Sequence, residues 1–105
     1  MELEDVVRLV ERKLGVEIKE KKVRNARERW QLFGLTSTDK KIKGNLGVSN
    51  ANRFFIEVEA VLNDRITASF RTSKYVDATE VEAILDEIID CIGRVRGKLY
   101  ETHSN

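Results

Sequence analysis

The residues best suited to chemistry are basic and lie close together in the chain. Between Lys19 and Lys43 there are nine lysines and arginines against three acids, a net charge of +6, whereas segments 1–18 and 44–105 carry −2 and −3. Trp30 and Phe33 lie in the same stretch. Basic side chains neutralise phosphates and aromatic rings stack on bases, so the stretch predicts contact with nucleic acid or another polyanion. A solvated surface around a buried tryptophan would have the same composition. The predicted nucleic-acid-binding residues are Lys19, Lys21, Lys22, Arg24, Arg27, Arg29, Phe33, Lys40, Lys41 and Lys43.

Two pairs of charged residues are the nearest approach to a catalytic site. Glu17 and Lys19 form an E-x-K, a fragment of one nuclease signature, but that chemistry needs an acid on a preceding strand and only a helix is predicted there. Glu57 shares a strand face with Glu59, where a divalent metal is conceivable, yet an ion pair between Glu57 and Arg71 is the simpler account.

The remaining composition gives no sign of catalysis. A single cysteine excludes an internal disulfide. The sole histidine, His103, lies in the expected C-terminal tail, which argues against a histidine zinc site or a histidine-based triad. No phosphate-binding loop or dinucleotide fingerprint is present. The sequence therefore predicts no enzyme, no catalytic residue, no metal or other cofactor, and no small-molecule substrate.

One short segment resembles a known binding loop. Gly44-Asn45-Leu46-Gly47 has the GxxG spacing of the loop with which KH modules clamp RNA. In that family a full helix follows the loop, and here only about five residues separate Gly47 from the next predicted strand. A flexible loop is the preferred interpretation of this segment.

Length and composition predict one domain. The chain has 105 residues, of which 41% are hydrophobic and 35% charged, so residues 1–101 are expected to form a single compact domain and residues 102–105 a frayed tail. No apolar run approaches the ~18 residues of a membrane span, and the acidic N-terminal stretch is unlike a targeting peptide. The expected location is the cytoplasm, or a host cytoplasm if the protein is viral.

Periodicity predicts two helices and a hairpin. Apolar residues recur at helical spacing over residues 2–14, ending at Gly15, and over 78–99, where Asp77 and Glu80 are placed for a capping box. Residues 53–71 alternate as two strands. An odd loop at 63–65 places Ala60 opposite Ala68, which leaves one face uniformly apolar.

The basic stretch itself is ambiguous in secondary structure. As two strands, Val16–Arg24 and Arg27–Thr36, it would point Trp30 and Leu32 inward and leave Phe33 on an outer, basic face. As a helix it would bury Trp30 and Phe33 in one stripe ended by a glycine. Strands are preferred because Val16 and Ile18 already alternate, and residues 36–52 are then expected to be a long loop.

The predicted fold is α+β, with an N-terminal helix, an antiparallel meander of about four strands, and a long C-terminal helix. Both helices are expected on one sheet face, over a core of Leu3, Val7, Val10, Trp30, Phe54, Ile56, Val58, Ile66, Phe70, Ile84, Ile88 and Val95. This architecture resembles double-stranded-RNA-binding domains and sheet-plus-helix modules that bind single-stranded DNA, without a matched motif.

Two functions follow as expectations. The first is a small binding domain for nucleic acid. The alternative is a protein-interaction module or homodimeric adaptor or inhibitor without nucleic-acid contact. Its basis is spare apolar surface at Phe33, Phe55 and Val61 and a wide apolar stripe on the second helix. No membrane contact is expected in either case.

Overall fold

Two helices pack on one face of a five-stranded antiparallel sheet. The computed structural model describes residues 2–21, 31–49 and 51–103, with side chains as far as residue 96. Helix α1 spans Leu3–Leu14 and α2 spans Ala78–His103. The strands are β1 Val16–Lys21, β2 Gln31–Ser37, β3 Ile42–Val48, β4 Phe54–Val61 and β5 Thr67–Arg71, paired in chain order as a meander. The predicted α+β class and the placement of both helices are confirmed, with five strands where about four were expected.

The ends of α1 follow from its sequence. The Asp5 amide donates to the Glu2 carbonyl oxygen at 3.0 Å, while the Glu2 amide donates to Asp5 Oδ2 at 3.0 Å. Gly15 ends the helix with φ 64°, a left-handed conformation that glycine adopts without strain, and its amide donates to the Glu11 carbonyl. Between these ends, Val6 and Val10 are fully buried against the sheet.

Helix α2 begins as the capping pattern predicted. The Asp77 amide donates to Glu80 Oε2 at 3.1 Å, and Val76 and Val81 on either side of the start are buried. The helix continues to His103, past its predicted end at residue 99. None of the described helices is long and apolar enough to cross a membrane.

A lysine joins the two helices at the surface. Lys13 Nζ donates to Asp86 Oδ1 at 2.7 Å and lies 3.7 Å from Glu82 Oε1. The hydrogen bond to Asp86 raises the pKa of Lys13 above its ordinary value of 10.5. Because the two acids are exposed and Lys13 is partly exposed, this contact orients α1 against α2 without contributing much to stability.

The β4–β5 hairpin has the predicted register. Ala60 lies opposite Ala68 and Val58 opposite Phe70, and the Leu62 amide donates to the Ile66 carbonyl. Ile66, however, is 38% exposed, so its predicted place in the core is wrong. The reason is local: Asn63 Oδ1 accepts from the Arg65 and Ile66 amides, and this turn holds Ile66 at the rim of the sheet.

The predicted long loop over residues 36–52 is wrong. It contains β3, which pairs with β2 on one side and β4 on the other. Its sequence, IKGNLGV, has two glycines and an asparagine and so has weak β propensity. Pairing on both edges supplies the order that the residues lack, and Leu46 and Val48 are buried in the core. The GxxG segment Gly44–Gly47 is therefore a central strand, and its interpretation as a flexible loop is wrong.

The predicted orientation of β2 is also wrong. Leu35 is 1% exposed and pairs with Ile18, and Phe33 on the same face packs against the core opposite Leu46. Leu32 consequently faces outward. The prediction rested on Trp30 as an inward anchor, and Trp30 lies outside the described residues, as does the choice between strand and helix for residues 22–30.

A short turn joins β2 to β3 and depends on Ser37. The Ser37 hydroxyl donates to Asp39 Oδ1 at 2.6 Å and accepts from the Ile42 amide at 3.0 Å. Asp39 Oδ1 also accepts from the Lys41 amide at 3.0 Å. The hydrogen bond from the Ser37 hydroxyl, and after it the one from the Lys41 amide, lower the pKa of Asp39 below its ordinary value of 3.8. Lys40 follows with φ 61°, an unusual left-handed conformation for a residue with a side chain.

This turn gives a first testable prediction. Since the pKa of Asp39 is lower in the folded chain, its contribution to stability is present above about pH 4 and lost as the pH falls through the folded pKa. NMR titration of the carboxyl carbons should find Asp39 below 3.8. Ser37→Ala should move it upward, whereas Thr38→Ala should not. Identical Asp39 titration in the parent chain and Ser37→Ala would contradict the arrangement.

Candidate nucleic-acid interface

The sheet face opposite the helices is the candidate site, here called the outer face. Side chains alternate along each strand, and the inward set joins the helices in one core cluster. No described helix packs on the other set. The outer face carries Glu17, Lys19, Lys21, Leu32, Gly34, Thr36, Lys43, Asn45, Gly47, Phe55, Glu57, Glu59, Val61, Thr67, Ser69 and Arg71.

The predicted site residues separate into four groups. Lys19, Lys21 and Lys43 lie on the outer face, within three adjacent strands. Lys40 and Lys41 lie in the turn at the end of the sheet where β2 passes into β3. Phe33 packs against the core on the inner face, so its predicted role as an exposed stacking residue is incompatible with this orientation. The other four, Lys22, Arg24, Arg27 and Arg29, lie outside the described residues.

A line of polar contacts crosses the outer face. Lys21 Nζ donates to Asn45 Oδ1 at 2.9 Å, and Asn45 Nδ2 donates to Glu57 Oε1 at 2.6 Å. The Lys21 side chain passes over Gly34 of β2 to make this contact: a β carbon at Gly34 would stand 2.7 Å from Lys21 Cε. The missing side chain thus lets one lysine of β1 reach β3 and hold its charge above the middle of the sheet.

A shallow groove lies over these contacts. Its volume is about 610 Å³, and its polar lining comes from residues of every strand of the sheet. The charged and amide side chains that line the groove are those of Lys21, Lys43, Asn45, Glu57, Glu59 and Arg71. Cations and acids are both present, with the cations on β1, β3 and β5 and two acids on β4.

The acids on the outer face have partners or neighbours of opposite charge. Glu17 Oε1 is 3.8 Å from Lys19 Nζ, and both side chains are more than two-thirds exposed. Glu59 lies opposite Lys43 in the register. The Glu17–Lys19 pair is an exposed surface contact, and the described residues hold no group of three or more potential metal-ligating side chains.

The predicted Glu57–Arg71 ion pair does not form, although the two residues are opposite each other as expected. Glu57 is instead bonded to Asn45, and the Arg71 guanidinium carbon lies 5.6 Å from the centre of the Phe55 ring. This is a cation–π distance. It leaves the guanidinium N–H groups of Arg71 without an acidic partner among the described residues.

An aromatic pair completes the outer face. Phe55 points outward, as its alternation in β4 predicted, and its ring centre lies 6.0 Å from that of Tyr75 at an interplanar angle of 47°. Tyr75 is 38% exposed. Strand alternation did not predict this position of Tyr75, because Tyr75 follows β5 in an irregular segment. The signal available in the sequence was the apolar residue Val76 just before α2. In the structure Val76 pairs with Phe54, and this pairing brings Tyr75 alongside Phe55.

The apolar surface behind the homodimer hypothesis is smaller than expected. On α2, Leu85, Ile88 and Ile92 are buried in the core, and Ile89 is 37% exposed. The large exposed apolar residues among those described, Ile66, Tyr75 and Ile89, lie at a hairpin rim, on the outer face and on a helix. They do not form one patch.

Comparisons with protein-family models, with curated proteins and with solved structures found no match to this chain.

Proposed function

We propose that this protein is a non-enzymatic nucleic-acid-binding domain that contacts the phosphate backbone through the outer face of its sheet. The observation that supports this most is the joint projection of Lys19, Lys21 and Lys43 from an open face that also presents Arg71. Neighbouring strands are about 4.8 Å apart and successive residues of a strand about 3.4 Å, so at the level of the backbone Lys43 lies about 12 Å from Lys19 and about 17 Å from Lys21. Lysines at this spacing can neutralise phosphates of one bound strand.

The turn at the end of the sheet extends the basic surface. Lys40 and Lys41 are exposed there, and the Ser37–Asp39 contacts fix the turn that carries them. Lys43 continues the same segment onto the outer face. The bound strand is expected to contact the lysines of β1 and β3, where the cations are concentrated, and to pass clear of the Glu57 and Glu59 carboxylates on β4. Such contacts position nucleic acid without reading its sequence.

The test is fluorescence anisotropy with labelled single-stranded and duplex oligonucleotides at increasing salt. Binding should weaken steeply with salt, and the triple variant Lys19→Gln, Lys21→Gln and Lys43→Gln should bind more weakly. If each lysine meets one phosphate, the slope of log K against log salt should fall by about 2 to 3.

The matched control removes the same charge from the helical side. Arg8, Arg12 and Arg96 are exposed there, and their triple replacement by glutamine should leave the salt slope close to that of the parent chain. Equal losses in both triples would show that only net charge matters and would contradict a defined face. No measurable binding at about 50 mM salt and micromolar protein would remove the proposal. Dimerisation without nucleic-acid binding would support the alternative interaction module.

A further inference from the structure

We propose that Phe55 and Tyr75 form a stacking site for an unpaired base, which makes single-stranded nucleic acid the preferred ligand of the outer face; this rests on the proposed function. The two ring centres are 6.0 Å apart and inclined at 47°, and the Arg71 guanidinium lies 5.6 Å from the Phe55 ring centre. An aromatic pair beside a cation is the arrangement with which proteins hold successive bases and their phosphates.

The rings are placed for a ligand and are outside the core. Phe54, the preceding residue of β4, is fully buried on the inner face, whereas Phe55 is half-buried and Tyr75 is 38% exposed. Gly47 lies opposite Phe55 in the register. A β carbon at Gly47 would meet Phe55 Cβ at 3.6 Å and the Tyr75 hydroxyl oxygen at 3.9 Å. The aromatic pair therefore extends over the backbone of β3 at a position without a side chain.

Cations lie on both sides of the aromatic pair. Lys21, Leu32, Gly47 and Phe55 form one row across four strands, so Lys21 lies about 14 Å from Phe55 at the level of the backbone. Arg71, on β5, lies on the other side of the ring. A strand that runs across the sheet would place phosphates near Lys21 and Arg71, with a base between them on Phe55.

This arrangement distinguishes single strands from duplexes. The bases of a duplex are already stacked on one another, so their faces are not accessible to Phe55 or Tyr75 without unstacking. A duplex would contact only the lysines. A single strand can make the lysine contacts and also stack a base on the rings. Because every base has a π face, the preference for single strands should be nearly independent of base sequence.

The experiment uses the full chain with three ligands: a single-stranded oligonucleotide containing 2-aminopurine, the matched duplex, and inorganic polyphosphate, a polyanion without bases. Phe55→Leu keeps an apolar side chain but removes the ring. It should weaken single-strand binding about five- to 150-fold and abolish the 2-aminopurine quenching. The same variant should leave polyphosphate binding and the salt slope unchanged.

Ile89→Ala is the matched control, since it removes an exposed apolar side chain from the helical side and should keep both affinity and quenching. Thermal unfolding of each variant checks that the fold is intact, and Tyr75→Leu provides a second ring deletion should Phe55→Leu fail to fold. Equal binding of single strand and polyphosphate, or quenching that survives both ring deletions, would overturn the stacking site and leave polyanion binding standing. Failure of all three ligands to bind at low salt would instead overturn the proposed function.

Discussion

Replacing Gly44 with alanine is expected to destabilise this protein severely, by about 3 kcal/mol or more in the free energy of unfolding. Gly44 lies in the middle of β3, between Leu35 of β2 and Val58 of β4. A β carbon there would collide with the carbonyl oxygen of Glu57 and stand 3.0 Å from Val58 Cα. These are backbone atoms of a paired strand, so neither can retreat without breaking the β3–β4 ladder.

Urea denaturation followed by far-UV circular dichroism measures this effect, and Gly93→Ala is its control. Gly93 is exposed on α2 and has no atom within 4 Å of the added carbon. Alanine is a better helix former, so this variant should gain about 0.5–1 kcal/mol. The same glycine-to-alanine change thus has opposite signs at the two positions. A Gly44→Ala chain as stable as its parent would be incompatible with the close approach of β3 to β4.

Replacing Phe54 with alanine should cost about 3–5 kcal/mol. Its side chain is fully buried and is the largest fully buried side chain among the described residues. Its backbone also exchanges two hydrogen bonds with Val76, at 2.7 and 2.8 Å, which attach the segment before α2 to the sheet. For a chain of this size the total stability is about 5–15 kcal/mol, so the variant is expected to be partly unfolded at 37 °C.

Ile66→Ala is the informative comparison for Phe54→Ala. The sequence predicted both residues in the core, but Ile66 is 38% exposed at the hairpin rim. Its truncation should cost less than about 1 kcal/mol in the same denaturation experiment. Similar losses for the two variants would mean that Ile66 is packed as the sequence suggested and that the rim position is wrong.

Local sequence patterns were sufficient to predict the two helices and the β4–β5 hairpin, because the residues that specify each of them are close together in the chain. The stripe and cap of α1, the start of α2 at Asp77, and the odd loop that sets Ala60 opposite Ala68 all depend on neighbours in the sequence. Hydrophobic periodicity reports which face of such an element is buried, because a one-residue slip would move the whole apolar set to the other face. The α+β class followed from these elements.

The third strand and the orientation of the second depended on partners elsewhere in the chain. Two glycines and an asparagine gave β3 little intrinsic preference, and its order comes from pairing with β2 and β4 on both edges. Phe33 faces the core because β2 is registered against β1 through Leu35 and Ile18. Neither the pairing of β3 nor the register of β2 can be predicted from the residues of one short segment alone.

The candidate site divides in the same way. The sequence by itself determined that the charge is concentrated between Lys19 and Lys43 and that Phe55 alternates outward. Tertiary structure alone decided that Lys21 reaches Asn45 over Gly34, that Arg71 turns from Glu57 to the Phe55 ring, and that Tyr75 joins that ring. Composition sets which charges and rings a chain has, whereas the pairing of distant strands sets which of them share a face.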